Sequence, residues 1–405
     1  MAGASSTLPP SMSDRLRSSL VATLASELAD VRARGLWREL REVESAQEPV
    51  VTLRGREVLL FCSNNYLGLA NHPELIAASQ EATARYGASA GSSRLISGHM
   101  QAHRELEDQI AAWKGLEASL AFSTGYQANI GAITALTERG DVVLSDELNH
   151  ASIIDAIRLS KAKVDVFAHN DTDQLEDRLR AHQSARRVLV VTESVFSMDG
   201  DLAPLTEIVT LCKRYGAWVM VDEAHGAGFF GKAGAGLADE LGLTAEIDVH
   251  VGTMGKALGS FGAYVAGSRE LVDLLVNRAR SFIFTTGLPP AAVAAASAAI
   301  AICQREPERA AGLRQRVRVM AQRLQEAGLQ VPDAQSQILP VRLGDADRTM
   351  AAMNRLLENG VYVAGIRPPT VPVGASRLRL SVMATHSEAQ LRCATQAIIA
   401  AVGSD

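Results

Sequence analysis

The sequence predicts an α/β protein built on a mostly parallel β-sheet, with a smaller α+β unit at its carboxyl end. Three observations carry that expectation. From about Glu117, short β-rich runs alternate with amphipathic segments. The runs are apolar throughout rather than at every second position, as in strands covered on both faces. After about residue 330 this rhythm gives way to a shorter mixture of strand and helix patterns.

In chain order, a polar, Pro- and Ser-containing start leads into Ser13–Arg41. There Leu16, Leu20, Leu24, Leu28 and Val31 form one apolar stripe and predict a helix. Val50–Leu53 and Val58–Phe61, on either side of Gly55, predict a small hairpin. The strand runs of the large sheet are Ala118–Phe122, Asp141–Leu144, Val164–Phe167, Val188–Thr192, Ala217–Val221, Val249–Gly252 and Ala263–Ala266. Between them, Ala128–Leu136, Ser152–Leu159 and Leu205–Tyr215 read as helices, and Pro290–Arg305 and Glu308–Ala327 follow as two long ones. Ile338–Leu343, a helix over Ala346–Glu358, Val361–Ala364, Arg377–Val382 and a last helix from Ser387 make the smaller unit. The expected organisation is a helical arm and hairpin over 1–60, a large α/β domain over 61–290 and a small α+β domain over 291–405.

Composition excludes several classes of function. The 405 residues are 47% hydrophobic and 21% charged, which is ordinary for a soluble chain with a large core. A net charge of −5 with no basic run argues against nucleic-acid binding. Cys62, Cys212, Cys303 and Cys393 stand far apart with no C-x-x-C pair, so neither a metal site nor a disulfide framework is expected. That usage fits a reducing cytoplasm. No secretion signal opens the chain, and its longest apolar stretch, Pro289–Cys303, is mostly alanine and too short for a bilayer.

Ligands of open parallel sheets bind at the carboxyl ends of the strands. Four strand ends here are rich in chemistry: Asp146–His150, Glu193–Gly200 with Ser197 and Asp199, Asp222–His225, and Thr253–Lys256. A lone Asp at such a place is usually a cap and a lone His usually a satisfied core or surface residue. The information lies in their convergence on one edge. Only six lysines occur in the chain, so lysine chemistry has few places to sit. A lysine, a buried acid and histidines together suit an imine with a carbonyl cofactor, and pyridoxal phosphate needs that set plus a phosphate cradle. Asp222, ending an apolar strand, suits the ring nitrogen; His225 could reach the phenolic oxygen and His150 the ring face. Ser123-Thr124-Gly125-Tyr126, opening a helix, suits the phosphate.

Two nucleotide-binding readings compete. Gly226-Ala227-Gly228-Phe229-Phe230-Gly231 has the G-x-G-x-x-G spacing, yet no helix opens directly on it. Gly226 to Lys232 approaches a phosphate loop, but Ala233 stands where a hydroxyl should bind magnesium.

Thr253-Met254-Gly255-Lys256-Ala257-Leu258-Gly259-Ser260-Phe261-Gly262 resembles the cofactor-attachment motif of the α-oxoamine synthases. Further blocks resemble that family in the same order: Cys62–Leu69, Ser97-Gly98-His99 with His103 and Leu106-Glu107, Thr124–Asn129, Asn149–Ser152, Glu193–Gly200 and Asp222–Gly226. The resemblance runs from about Leu16 to the last helix. It implies the type I pyridoxal-phosphate-dependent transferase fold and a homodimer with shared active sites. By the same resemblance Lys256 carries the cofactor and Asp222 pairs with its ring nitrogen. His225 and Ser197 bond its phenolic oxygen, and His150 stacks on the ring. Gly125, Tyr126 and Thr253 lie at the phosphate, with Thr286 reaching the phosphate of the other subunit. Arg379 holds the amino-acid carboxylate, and Arg38, Asn64, His150 and Thr370 contact substrate.

Ile366-Arg367-Pro368-Pro369-Thr370-Val371-Pro372, followed by Arg377-Leu378-Arg379, is most similar to one branch of the family. That branch joins L-alanine to a pimeloyl thioester, carried by coenzyme A or an acyl-carrier protein, in biotin biosynthesis. Sister branches use glycine or serine, or another acyl thioester. Ser89 departs from the glycine that relatives often carry, in a loop expected near the substrate.

Overall fold

The computed structural model describes residues 12–403, of which those up to Val43 form one compact unit and those from Glu44 onward a second. The first unit is a helix, Met12–Ala33, that stops short of the expected Arg41. Gly35 is the reason. Its φ of 66° is left-handed, Gly35 N–H donates to Arg32 O and Leu36 N–H to Val31 O, both at 2.9 Å, which closes the helix in a Schellman motif. Leu20, Leu24 and Leu28 of the expected stripe are exposed. The polar start of the chain and the side chain of Leu16 lie outside the described residues.

In the second unit, β1 (Val50–Leu53) and β2 (Arg56–Leu60) form the expected hairpin. The two turn residues, Arg54 and Gly55, both have positive φ (50° and 70°), the geometry that matches the strands' twist. The large sheet comprises β3 (Ala118–Phe122), β4 (Val142–Asp146), β5 (Lys163–Phe167), β6 (Val188–Glu193), β7 (Trp218–Asp222), β8 (Val249–Thr253) and β9 (Ala263–Gly267). Its order is β3-β9-β8-β7-β6-β4-β5, with β9 antiparallel to both neighbours and the other adjacent pairs parallel. The unbroken apolar runs are explained by burial on two faces. Val142, Leu144, Val190, Val219 and Val221 enter one core cluster, while Val143, Leu189, Val191 and Met220 enter another on the opposite face.

Helices Pro73–Tyr86, Gln101–Lys114, Thr172–Ala181 and Arg269–Arg278 join those expected from sequence. The third of these escapes a pattern reading because only Leu175 and Leu179 are buried in an otherwise polar segment. The C-terminal strands are β10 (Ile338–Gly344), β11 (Val361–Tyr362), β12 (Ala364–Ile366) and β13 (Ser376–Ser381). The single run expected over Val361–Ala364 therefore divides. β11 pairs in parallel with β2, and β12 pairs antiparallel with β13, which also pairs with β10. Among the described residues no two cysteines form a disulfide, and no helix is long and apolar enough to cross a membrane.

Candidate active site

Strands β4, β6, β7 and β8 run parallel, so their polar C-terminal residues collect on one edge. Register places Glu193 directly beside Asp222. Both are buried. Asp222 Oδ2 accepts from Asn129 Nδ2 at 2.8 Å and Oδ1 from the Ala224 amide at 2.9 Å. Glu193 Oε1 accepts from the His150 amide at 2.6 Å. Burial, and then the Asp222 charge, push the Glu193 carboxyl up to about 8, against the pull of Lys256.

Lys256 follows β8 in a tight bend and its Nζ lies 2.9 Å from His225 Nε2. Burial lowers Lys256 to about 8; Asp222 and Glu193 oppose the shift and Arg379 adds to it. His225 is held well below the usual imidazole range by burial and then by Lys256 and Arg379. His150 caps helix Ala151–Ser160, its Nδ1 accepting from the Ser152 amide at 3.2 Å and lying 2.7 Å from Ser152 Oγ. With Nδ1 occupied as an acceptor, the proton of the neutral ring belongs on Nε2. Burial again lowers its titration. Asn129 Nδ2 also reaches Ser152 Oγ at 2.9 Å, so one amide links Asp222 to the support of His150.

A second set of groups comes from the C-terminal sheet. Arg377 and Arg379 alternate on β13 and are both buried. Arg379 donates to the Ser197 carbonyl, to Ser381 Oγ at 3.0 Å and to Tyr66 Oη at 3.5 Å. Arg377 grips Asp199, which Arg342 also meets at 3.2 Å. The Ser197–Asp201 loop is held on its other side by His169, whose Nε2 is 2.7 Å from Asp201 and Nδ1 3.0 Å from Asp146. Burial alone would lower His169, but the two carboxylates raise it to about 10. A raised folded-state value contributes stability that is complete below about pH 6.5 and is lost as pH rises through about 10. His169→Asn is therefore expected to flatten the alkaline fall in thermal midpoint between those limits. A fall as steep as in the parent would show that the charge on His169 does not carry it.

The expected phosphate cradle is present as the first turn of helix Gly125–Leu136, capped by Thr124 Oγ1 on the Gln127 amide at 3.1 Å. The leading N–H groups of such a turn have no partner within the helix. Tyr126 points its hydroxyl to Asp155 at 2.7 Å. Thr253 Oγ1 donates to Gly262 O at 3.0 Å and accepts from the Gly255 amide at 3.2 Å, shaping the bend before Lys256. Thr286 is exposed, and its carbonyl accepts from Ser123 Oγ at 3.4 Å beside the cradle of its own chain. Asn64 Oδ1 accepts from Tyr66 Oη at 3.0 Å. Thr370 lies in an exposed turn with its amide on Arg367 O at 3.1 Å, apart from those contacts. Arg38 belongs to the first unit and is exposed.

The glycine run after β7 turns on itself instead of opening a helix. The amides of Gly231 and Lys232 that a nucleotide phosphate would need are bonded to Glu240 Oε2 and Asp239 Oδ2 at 2.9 and 2.6 Å. Sequence reasoning assigned no role to Tyr66, Glu193, Asn129 or Gln337. The first three lie inside blocks quoted for their pattern, and Gln337, just before β10, donates from Nε2 to the His225 carbonyl at 2.7 Å; only the folded geometry shows these contacts.

A buried amine close to neutrality, a buried carboxylate, two neutral imidazoles and an open helix N-terminus fit the donor set that pyridoxal phosphate requires. They define an enzyme of the pyridoxal-phosphate class. Residues 56–398 match the family described as aminotransferase class I and II. Over 379 residues the chain is 52% identical to an 8-amino-7-oxononanoate synthase of Geobacter sulfurreducens, covering 93% of this chain and 97% of that protein. Among solved structures, Sphingomonas wittichii serine palmitoyltransferase superposes with a TM-score of 0.89 at 36% identity, covering 94% of this chain and 96% of that one. A serine palmitoyltransferase from S. paucimobilis with a bound PLP–myriocin aldimine gives 0.90 at 34%, covering 96% and 99%. The chain belongs to the aminotransferase class I and II family, and within it to the α-oxoamine synthases, with pyridoxal phosphate as cofactor.

Proposed function

We propose that the enzyme joins L-alanine to a pimeloyl thioester, with loss of the thiol and CO₂, to give 8-amino-7-oxononanoate for biotin synthesis. The observation that carries this reading is the 52% identity, across nearly both full lengths, to a protein of that name. Bound pyridoxal phosphate supplies an electron sink for negative charge at the amino-acid Cα. Lys256 would hold it, with Asp222 at its ring nitrogen, His225 and Ser197 at its phenolic oxygen, His150 on its face, and Gly125, Tyr126 and Thr253 at its phosphate. Arg379 suits the alanine carboxylate: the groups it donates to, Ser197 O, Ser381 Oγ and Tyr66 Oη, are all neutral, so its charge remains for an anion. Lys256 Nζ, lowered to about 8, is an amine in a useful fraction of molecules near neutrality and can take the Cα proton. Asp222 is buried, and a carboxylate fixed in a water-poor setting acts most strongly on charge that develops beside it.

Arg38, Asn64 and Thr370 remain proposed substrate contacts. In the same reading the enzyme is a cytoplasmic homodimer in which Thr286 serves the other subunit's phosphate. Exposed Leu95, Ile96 and Phe284 support a docking face there, since Ser93 bridges to Thr286. The catalytic groups come from 61–290 and Arg379 from 291–405, the division expected of a large and a small domain.

The likeness to serine palmitoyltransferases favours a second reading, serine with a longer acyl thioester. Supplying L-alanine, glycine and L-serine in parallel with pimeloyl-CoA, pimeloyl-acyl-carrier protein and palmitoyl-CoA separates the two. Product is expected from L-alanine with a pimeloyl donor. Turnover confined to serine with palmitoyl-CoA would replace the first reading by the second.

A further inference from the structure

We propose that Tyr66 is a positioning residue for this reaction: its hydroxyl accepts the Nδ1–H of the one His225 tautomer to which a Lys256 ammonium can donate, and so steadies the ammonium against the amine. The inference rests on Lys256 being the amine that captures the cofactor. Four groups stand in line. Lys256 Nζ is 2.9 Å from His225 Nε2, His225 Nδ1 is 2.7 Å from Tyr66 Oη, and Tyr66 Oη is 3.0 Å from Asn64 Oδ1. Tyr66 is completely buried and His225 nearly so, so neither exchanges its partner for water at low cost.

A phenol has one proton to donate, and an amide oxygen can only accept. The two tautomers of His225 give two arrangements. In the first, Lys256 Nζ donates to Nε2, Nδ1–H donates to Tyr66 Oη, and Tyr66 donates to Asn64. In the second, Nε2–H donates to Lys256 Nζ and Tyr66 donates to Nδ1, leaving Asn64 Oδ1 without that bond. An ammonium has no lone pair and is confined to the first, whereas an amine keeps two N–H groups beside its lone pair and can use either; the proton that separates the two forms of Lys256 passes to solvent. By accepting from Nδ1–H and from Tyr66 in turn, the tyrosine and the asparagine support the one arrangement open to the ammonium. Other charges set the level about which this preference acts. Burial and Arg379 lower Lys256 while Asp222 and Glu193 raise it. Lys256, Arg379 and His150 keep His225 neutral after burial has done the most. Burial raises Tyr66 itself, against Arg379 and Gln337, so it stays a phenol through the working range.

Removing the hydroxyl leaves a buried Nδ1–H with no acceptor in the first arrangement, and only an idle lone pair in the second. An unmet buried donor is the costlier of the two. Tyr66→Phe should therefore favour the amine and move the Lys256 midpoint down by about one pH unit. Asn64→Ala removes the last bond of the first arrangement and should move it the same way by less.

The test adds pyridoxal phosphate to full-length protein stripped of cofactor and follows the rate of visible-band growth against pH. Wild type is expected to show a midpoint near 8. Both variants are expected to reach the wild-type plateau with lower midpoints, Tyr66→Phe lower than Asn64→Ala. A merely structural role would reduce the rate at every pH and leave the midpoint in place, and that result overturns the proposal. Should Tyr66→Phe fail to fold, the shift in Asn64→Ala decides alone. No band in wild type would instead overturn the reading of Lys256.

Discussion

Replacing Lys256 with alanine is expected to abolish the visible imine band on added pyridoxal phosphate and to cut turnover by roughly a thousandfold or more. The expectation follows from the amine's surroundings. Of the six lysines, Lys114 is buried against Glu223, and Lys213 pairs with Glu246. Lys256 is lowered to about 8 and sits among Asp222, Glu193 and His225. A nucleophilic amine must shed its proton near working pH, and this one is placed to do so. Spectra of the variant with and without L-alanine, beside its turnover, check the claim. A persisting band would move the attachment to another lysine, Lys232 first.

Lys114→Met is expected to destabilise the second unit by about 3–5 kcal/mol, the range for a buried ion pair robbed of one partner. Lys114 Nζ donates to Glu223 and to the Ala235 carbonyl, and both side chains are buried. Glu223 Oε1 accepts from the Ala238 amide at 3.0 Å, and His250 Nδ1 stands 3.5 Å from Oε2. Burial alone would raise the Glu223 carboxyl, but Lys114 and then His250 hold it at about 2. Taking away the ammonium leaves a charged carboxylate without its main compensation, one residue after Asp222. Denaturant unfolding measures the loss. The double variant Lys114→Met, Glu223→Leu should recover part of it: no charge is left unpaired, but the Ala238 amide and the Ala235 carbonyl lose the side chains that met them. A single variant within about 1 kcal/mol of wild type would contradict this account.

All seven strands of the large sheet were legible in the sequence, most of them to within a residue or two at each end. Six of them are buried through most of their length and write a nearly continuous apolar run; β5, at the sheet edge, is largely exposed and shows only as Val164, Val166 and Phe167 around Asp165. The lysine, the acid and the two histidines were legible for a related reason: strand ends concentrate ligand chemistry, and few lysines competed. Less local features were not. Lys114 lies 109 positions from Glu223, and no pattern links them before folding. Tyr66 looked like one more aromatic in a quoted block, since its meaning depends on His225, 159 positions away. The helix end at Gly35 was readable in principle, because glycine is the usual residue at a left-handed cap, but the leucine stripe before it suggested a longer run. The divided strand at Val361–Ile366 was not readable, because both halves are apolar and the break is a change of partner.

That change of partner has a mechanical consequence. Only Val363 separates the strand joined to β2 from the strand joined to β13. The Ser381 amide bonds Phe61 O, and the Ala384 amide bonds Tyr66 O, each at 2.7 Å. The wall bearing Asn64 and Tyr66 and the wall bearing Arg379 are thus stitched into one plate that shifts as a piece. Swinging the C-terminal sheet outward like a door would tear these stitches, so any widening of the cleft has to come from the loops around that plate.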